Sequence, residues 1–600
     1  MIIHVLDASS RRWRLAVVLI WLLWCAWYLY QRKAGIYWLA LGDTDDNLRL
    51  LQVRSWLGGQ GWYDLRQYKL DPPEGANIHW SRLVDLPLAA LMLIGRLFLT
   101  ALDAEKLAVA VAPLLPLLVV LGTVAITARR LIGAQAALAA VLITLLCQPT
   151  MAMFMPLRID HHGWQLACLS IVVAGLVDPR PRRGGITVGL ASALSLSIGL
   201  EMIIFIVISG AGITLRWIID AREAGRLRHY AAALSFGVSA GYLGFASYAN
   251  AALRCDALTP IWVSVMLAAG IVLFVLSLIR TDQLAVRFGG AAIGGAALAA
   301  GFALVWPQCL ARPEGMLPEL VTLWFRNIRE VKPLYDQAWT TIIPASYAVV
   351  GIIGAPIATL VAARRGQAMV WLPIMLLTLL SGVMMLWQTR MSPAALLLGV
   401  PGATSLAMML IRALARRTSP RVAAFAIILT IGGVSGLASP LLAVMAPAEP
   451  TSDFMVAVST ANRRCPTLPS LRPVAQRPAT TIFTFVDLSP RLVAMTHHKA
   501  IAGPYHRNGN AILDVQHAFR GSADQARAII TRHGATLLLI CPNMSESTIY
   551  KAQNPKGFYA QLSQGRVPDW LVPVTLPNQS PLRLWRVMPI PPATPHNRQR

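Results

Sequence analysis

From residue 15 to about residue 445 the chain repeats apolar blocks of roughly 17–22 residues, divided by short polar or basic stretches. A helix rises about 1.5 Å per residue, so each block matches a hydrocarbon layer about 30 Å thick. That recurrence constrains the fold more than any other feature. With 56% hydrophobic and only 14% charged residues, a water-facing packing is excluded, since soluble domains carry about 25% charged residues. Soluble enzymes, fibrous proteins and disordered chains fall away together. The predicted fold is an all-α polytopic membrane bundle.

Block length places about thirteen transmembrane helices, at residues 15–31, 107–127, 133–150, 163–178, 186–200, 202–218, 231–250, 258–279, 289–306, 344–363, 368–387, 393–412 and 422–444. A net charge of +25 in a soluble protein would point to nucleic acid. Here the arginines cluster between apolar blocks, which is an orientation signal. Placing the N-terminus inside makes Arg129-Arg130, Arg180 to Arg183, Arg222 to Arg228, Arg364-Arg365 and Arg416-Arg417 cytoplasmic. The basic stretch Arg11, Arg12, Arg14 precedes an apolar run without a small-residue cleavage site, so it reads as an uncleaved first helix.

Residues 85–103 are apolar but carry Arg96 and follow a polar loop, and they read as an amphipathic helix on the outer surface. The membrane domain then covers residues 1–445, with long outer loops at 32–106 and 307–343. Residues 446–600 turn polar and proline-rich. Strand-like runs at Thr481–Val486 and Thr536–Ile540, with a helical run at Ala523–His533, predict a small outer α/β domain. Cys309, Cys465 and Cys541 fall on the oxidising side, where a Cys465–Cys541 bridge is open to form.

Ionisable groups at a membrane boundary are expensive, about 2.5–3.5 kcal/mol at a helix centre, so their clustering is informative. The first loop carries Asp43, Asp45, Asp46, Asn47 and Arg49 within one short stretch. Crowded carboxylates need a cation or an arginine, and such oxygen clusters suit Mg²⁺ or Mn²⁺; a solvated helix start is the plainer reading. Arg158-Ile159-Asp160-His161-His162 stands where one block ends and the next begins. Its carboxylate and imidazole can face one ion, or simply mark a turn. Asn327 to Pro333, with Glu330, lies in the second long loop, and Arg390 sits between two late blocks. The topology puts all four on one side, which suggests a metal-dependent site at the outer interface with arginine placed for a phosphate.

These segments resemble the catalytic subunit of oligosaccharyltransferases. Asp43-x-x-x-Asn47-x-Arg49 has the spacing of that family's first-loop motif, and Asp160-His161-His162-Gly163 resembles its second. Asn327-Ile328-Arg329-Glu330-Val331-Lys332-Pro333 is similar to its serine-rich S-V-S-E-x-x-P segment, keeping the glutamate and proline. Arg390 falls where the family has an arginine for the donor phosphate.

The resemblance implies a C-type (GT-C) glycosyltransferase on the periplasmic face of a bacterial inner membrane, moving a sugar from a polyprenyl-phosphate-linked donor with inversion. It implies Asp43, Asp160 and His162 as ligands of Mg²⁺ or Mn²⁺, Arg390 with Arg49 and Asn47 toward the donor, and Glu330 either orienting the acceptor or completing the metal shell. Asp45 and Asp46 become supporting groups or a base. The family's W-W-D-Y-G acceptor segment is absent from residues 445–600, so a lipid, a glycan or another protein side chain is as fitting an acceptor as a sequon asparagine. His497-His498 and Tyr505-His506-Arg507-Asn508 stand in that domain, as acceptor groups or as polar surface. A polysaccharide ligase or polymerase, or a lipid-linked sugar flippase or transporter, is the alternative.

Overall fold

The computed structural model describes residues 12–311, 314–415, 419–446 and 452–589. The expected clusters at Arg11 and Arg416-Arg417 lie outside the described residues. The chain is mostly helical through residue 445 and then forms a helix-covered sheet.

Six described helices are long and apolar enough to cross a membrane: Trp13–Tyr37, Ala101–Leu131, Leu284–Val305, Trp339–Ala363, Ala368–Trp387 and Thr389–Ala415. Ala424–Ser435 and Ser439–Met445 are apolar enough together but meet at 62°, as a broken span or a re-entrant loop. The bend falls at Gly436, whose φ of +82° is the left-handed turn that ends a helix and that glycine adopts without strain. The expected count of thirteen is thus not reached by length and composition. Ala136–Leu146, His162–Leu176, Ile203–Ile219 and Pro260–Leu276 are apolar but shorter.

Pro181–Ile198 and Ala224–Phe245 have the length but are rich in glycine, serine and arginine. Their small residues serve a close approach. A Cβ at Gly185 or Gly189 would strike backbone carbonyls of Arg226 or Tyr230 on the facing helix. The same device joins Ala348–Ala363 to Ser392–Ala415, through Gly351 against Gly399 and Gly354 against Gly402.

The basic clusters gather at one end of the bundle. Arg130 and Arg183 each reach Asp178 at 2.7 Å, and Arg216 pairs with Glu223 at 2.9 Å. The helix His162–Leu176 runs from that end to the acidic segments at the other. Residues 85–103 fold as Asp85–Gly95, 11 residues, followed by a turn. Met92 and Leu88 are buried while Leu93, Ile94, Leu97 and Phe98 are exposed. This helix is two-faced and too short to cross.

The loop after the first helix continues as Thr44–Leu57 and a small antiparallel pair, β1 (Arg66–Gln67) with β2 (Ala76–Asn77). The C-terminal sheet contains β3 (Thr481–Phe483), β4 (Lys499–Ala500), β5 (Leu537–Ile540), β6 (Leu571–Val574) and β7 (Arg583–Val587), in the order β4-β3-β5-β7-β6. The first three pair in parallel and the last two antiparallel. The expected strands at 481 and 536 and the helix at 523, which is Ala523–Arg532 capped by Ser522, are present. Leu48, Ile78, Trp80, Leu320 and Phe325 of the two long loops share one apolar core with this sheet. Cys465 and Cys541 form a disulfide, and Cys309 pairs with Cys255.

Candidate active site

Asp43 caps the helix Thr44–Leu57, its Oδ1 accepting from the Asp45 backbone N at 3.2 Å. The next turn of that helix delivers Asp46 to the segment carrying Asp160. Asp46 Oδ1 accepts from the Ile159 and Asp160 backbone N at 2.8 and 3.1 Å. These bonds join two stretches more than a hundred residues apart. Arg158 fills the space between them. Its Nη1 lies 2.5 Å from Asp43 Oδ2 and 3.3 Å from Asp46 Oδ2, and its Nη2 lies 2.6 Å from Asp160 Oδ2. Burial opposes the charge on Arg158, but the three carboxylates more than offset it and hold it cationic.

Asp160 Oδ1 accepts from the His162 backbone N, while the buried Oδ2 is ion-paired with Arg158 and stands 3.8 Å from His162 Nε2. Burial raises the Asp160 carboxyl, but the nearby cationic groups prevail and keep it ionised. Beside it His161 pairs with Glu201 at 2.7 Å, and Gln165 Nε2 donates to the same carboxylate at 2.8 Å. Burial would raise Glu201, yet the imidazoles and hydrogen bonds push it well below the ordinary range. Sequence reading passed over Glu201; an acid enclosed by two apolar blocks was the available signal.

Carboxylate oxygens with an imidazole form a donor set suited to a hard divalent ion, but Asp160 Oδ2, where such an ion would bind, is held by Arg158 Nη2 at 2.6 Å. Among the described residues, however, no three His, Cys, Asp or Glu side chains are grouped as a ready-made metal site. The Arg158 guanidinium supplies the positive charge at that point.

Asp45 points elsewhere. Burial, then Asp43, Asp160 and Glu330, raise its pKa well above the carboxylate range. Glu330 sits on the turn Arg329–Val331, and the following Lys332 carbonyl accepts from both N and Oγ1 of Thr389, at 2.9 and 2.8 Å. This ties the Glu330 turn to the turn Thr389–Met391 that carries Arg390. Arg390 Nε donates to Gln388 at 2.7 Å, and its Nη atoms have no partner among the described residues.

Two cavities meet here. One, about 1030 Å³, lies between the long loops and the C-terminal domain and reaches Asp43, Asp45 and Asp487. The other, about 400 Å³, lies among Met153, Leu166, Met202 and Pro344 and reaches Arg390. Arg158, His162 and Glu330 line both.

Of two further residues expected at the donor, Asn47 lines the larger cavity while Arg49 lies elsewhere. Arg49 is 1% exposed, bonded to Asp85 at 2.8 Å with its guanidinium 4.4 Å over the Trp80 ring, and lines neither cavity. Arg82 shares Asp85, so this buried trio holds the long loop together. Asn47 turns its amide inward to the Asp43 and Leu41 carbonyls and accepts from Arg491 at 3.0 Å. Both are drawn inward because a buried polar group without a partner is costly.

The polar groups of the C-terminal domain are likewise used for docking. Arg507 grips Asp256 through Nε and Nη2 at 2.7 and 2.8 Å, and His506 reaches it at 2.7 Å. Tyr505 donates to the Thr44 carbonyl, Asn508 to that of Asn77, and His497 and His498 bond backbone carbonyls of their own domain.

No protein-family model and no curated protein matches the chain. Among solved structures it is similar to the archaeal oligosaccharyltransferase AglB of Archaeoglobus fulgidus in complex with an inhibitory peptide and a dolichol-phosphate. The TM-score is 0.66 at 14% identity, over 94% of this chain and 73% of that one. The apo form of that organism's enzyme gives 0.64 at 15% identity, over 90% and 71%. A form tethered to an acceptor peptide containing the NVT sequon gives 0.61 at 13% identity, over 89% and 69%. The chain therefore has the fold of these archaeal oligosaccharyltransferases.

Proposed function

We propose that this chain is an integral-membrane glycosyltransferase that moves a sugar or oligosaccharide from a polyprenyl-phosphate-linked donor to an acceptor on the periplasmic side of a bacterial inner membrane. One observation carries the reading: an apolar cavity among helices and a larger, more polar cavity under the C-terminal domain meet at Arg158, His162 and Glu330. A lipid-linked donor and a water-borne acceptor need that arrangement, each with its own approach and one shared point. The archaeal relative's complex with a dolichol-phosphate and a peptide supports two such ligands. Two disulfides, one on either side of the junction between the domains, favour the oxidising compartment.

The donor phosphate sits against Arg390, whose Nη atoms are free to form a fork with its oxygens. Asp43, Asp160 and His162 would hold Mg²⁺ or Mn²⁺, which supplies Lewis-acid neutralisation of the departing phosphate. Arg158 contributes a second fixed cation at the same place, prearranged for charge that grows in the transition state. Glu330, exposed at the meeting point, orients the acceptor. The acceptor atom bonds to the anomeric carbon as the carbon–oxygen bond to phosphate breaks. Its proton passes to Asp45, which lines the same cavity. Asp46, committed to two backbone N–H groups, positions the Asp160 segment.

The test uses the full chain in lipid nanodiscs with a radiolabelled pool of polyprenyl-linked sugars. Asp43→Asn and Asp160→Asn should each cut transfer by about 10²-fold or more, the scale of losing one preorganised electrostatic contact, while melting curves stay cooperative. Chelator should suppress the wild type and Mn²⁺ restore it. Undiminished transfer in the double variant would end the assignment to these residues.

A further inference from the structure

The larger cavity has a wall that the proposed chemistry leaves unused. After β3 the chain turns through residues 484–488 and exposes Asp487 to this space. The Asp487 carboxylate has no hydrogen bond and no ion pair among the described residues. Its presentation is nonetheless rigid. The backbone N of Asp487 and of Val486 donate to Glu546 at 2.7 and 2.9 Å, and Glu546 also accepts from the Tyr550 hydroxyl. Gln516, 2% exposed, stands behind Tyr550 and lines the same cavity, with Oε1 lacking a donor.

Four residues beyond Asp487, Arg491 donates to Asn47 Oδ1 at 3.0 Å and to the Leu39 carbonyl at 2.7 Å. The turn is thereby locked to the helix capped by Asp43, so Asp487 confronts the Asp43 end of the site.

We propose, resting on the transferase reading, that Asp487 is an acceptor-recognition residue and that the acceptor is a glycan held by its hydroxyls. Two acceptor atoms without donors call for a ligand that brings O–H or N–H groups. The same cavity carries the Arg329 and Arg463 guanidiniums, which have no side-chain partner among the described residues and call for acceptor atoms on the ligand. A hydroxyl, donor and acceptor at once, satisfies both sets. Trp324 and Trp38 on the walls offer rings for the C–H face of a sugar. At about 1030 Å³ the space is at the top of the range of about 300–1,000 Å³ for ligand cavities, room for several rings.

The experiment reads binding alone: saturation-transfer NMR on the full chain in nanodiscs. The probes are methyl glycosides of glucose, galactose, mannose and arabinose, with the capped tripeptide Asn-Ala-Thr as competitor class. At least one glycoside should bind, about tenfold more weakly in Asp487→Ala, the worth of one hydrogen bond to a charged group. Asp487→Asn, which keeps the shape, should lose a similar factor. Absence of glycoside binding, preferential binding of the tripeptide, or equal binding by wild type and Asp487→Ala overturns the proposal. A chain that binds glycosides through Asp487 yet transfers no sugar keeps this inference and refutes the transferase. A chain that transfers sugar but binds none does the reverse.

Discussion

Arg158 is the side chain whose removal should reveal most. It serves three carboxylates at 2.5, 3.3 and 2.6 Å, of which Asp46 and Asp160 are 2% and 0% exposed and Asp43 is 38% exposed. Deleting one partner of a buried pair costs about 3–5 kcal/mol, and an exposed pair at most about 1. With Arg158 itself 17% exposed, a loss of about 3 kcal/mol is expected for Arg158→Met, which keeps the length and removes the charge. The stranded carboxylates should then welcome a cation. At 100 times its Kd a divalent ion returns about 2.7 kcal/mol, nearly the whole deficit. The assay is thermal unfolding by tryptophan fluorescence in detergent, in EDTA and with Mg²⁺ or Mn²⁺. Arg158→Met should melt well below wild type in EDTA and recover with the ion, while wild type responds less because its guanidinium already neutralises the cluster. Equal midpoints in EDTA, or equal ion-induced shifts in both proteins, would refute the reasoning.

Further outcomes follow from other contacts. Arg507→Ala leaves the buried Asp256 with only His506 as an ionisable partner, the Arg507 and Asp256 side chains being 1% and 5% exposed, so docking of the C-terminal domain should weaken by about 3 kcal/mol, the low end for breaking a buried pair. Faster hydrogen exchange across residues 499–510 checks it. The Cys255–Cys309 bridge closes 54 residues, and Cys255→Ser with Cys309→Ser should cost about 4 kcal/mol by loop entropy, measured against the oxidised protein. Glu546, raised from 4.5 to about 8 by burial and then by Asp487, prefers its protonated form when folded. Its contribution is therefore full below about pH 4.5 and lost as pH rises through about 8. The melting temperature should fall over that window and flatten in Glu546→Gln. Arg390→Ala should lower transfer by about 10²-fold, with glycoside binding unchanged.

The helical membrane class and the acidic segments were legible because both are local signals: apolar length in one case, charge where charge is costly in the other. The span count was not. Pro181–Ile198 and Ala224–Phe245 exchange hydropathy for close backbone approach, and Gly436 breaks the last apolar stretch. Pairing was equally hidden. Asp43, Asp46 and Asp160 were visible as charges, but their shared counter-ion Arg158 depends on two backbone bonds from residues 159 and 160 to Asp46. Arg49 carried the motif spacing and still turned inward, because Asp85 and Arg82 from the same loop complete a buried trio around it. Cys309 was visible as a thiol on the oxidising side, whereas its partner Cys255 follows from the loop that also presents Asp256.

The parts of the site come from distant segments, and a few side-chain and backbone hydrogen bonds hold them in register. The Lys332 carbonyl fixes the Glu330 turn to the Arg390 turn, and Asp46 fixes the Asp160 segment to the Asp43 cap. Arg491 fixes the C-terminal domain to the same helix, and the Leu70–Ala500 bridge adds the first loop to β4. The domain is therefore a wall of the larger cavity, not an appendage to it. Its apolar core is continuous with Leu48, Ile78 and Trp324 of the loops. Cutting the chain before residue 453 would remove Asp487 and Arg491 and expose that core to water. It would take one wall of the larger cavity with it, while the helices bordering Arg390 would keep their mutual packing.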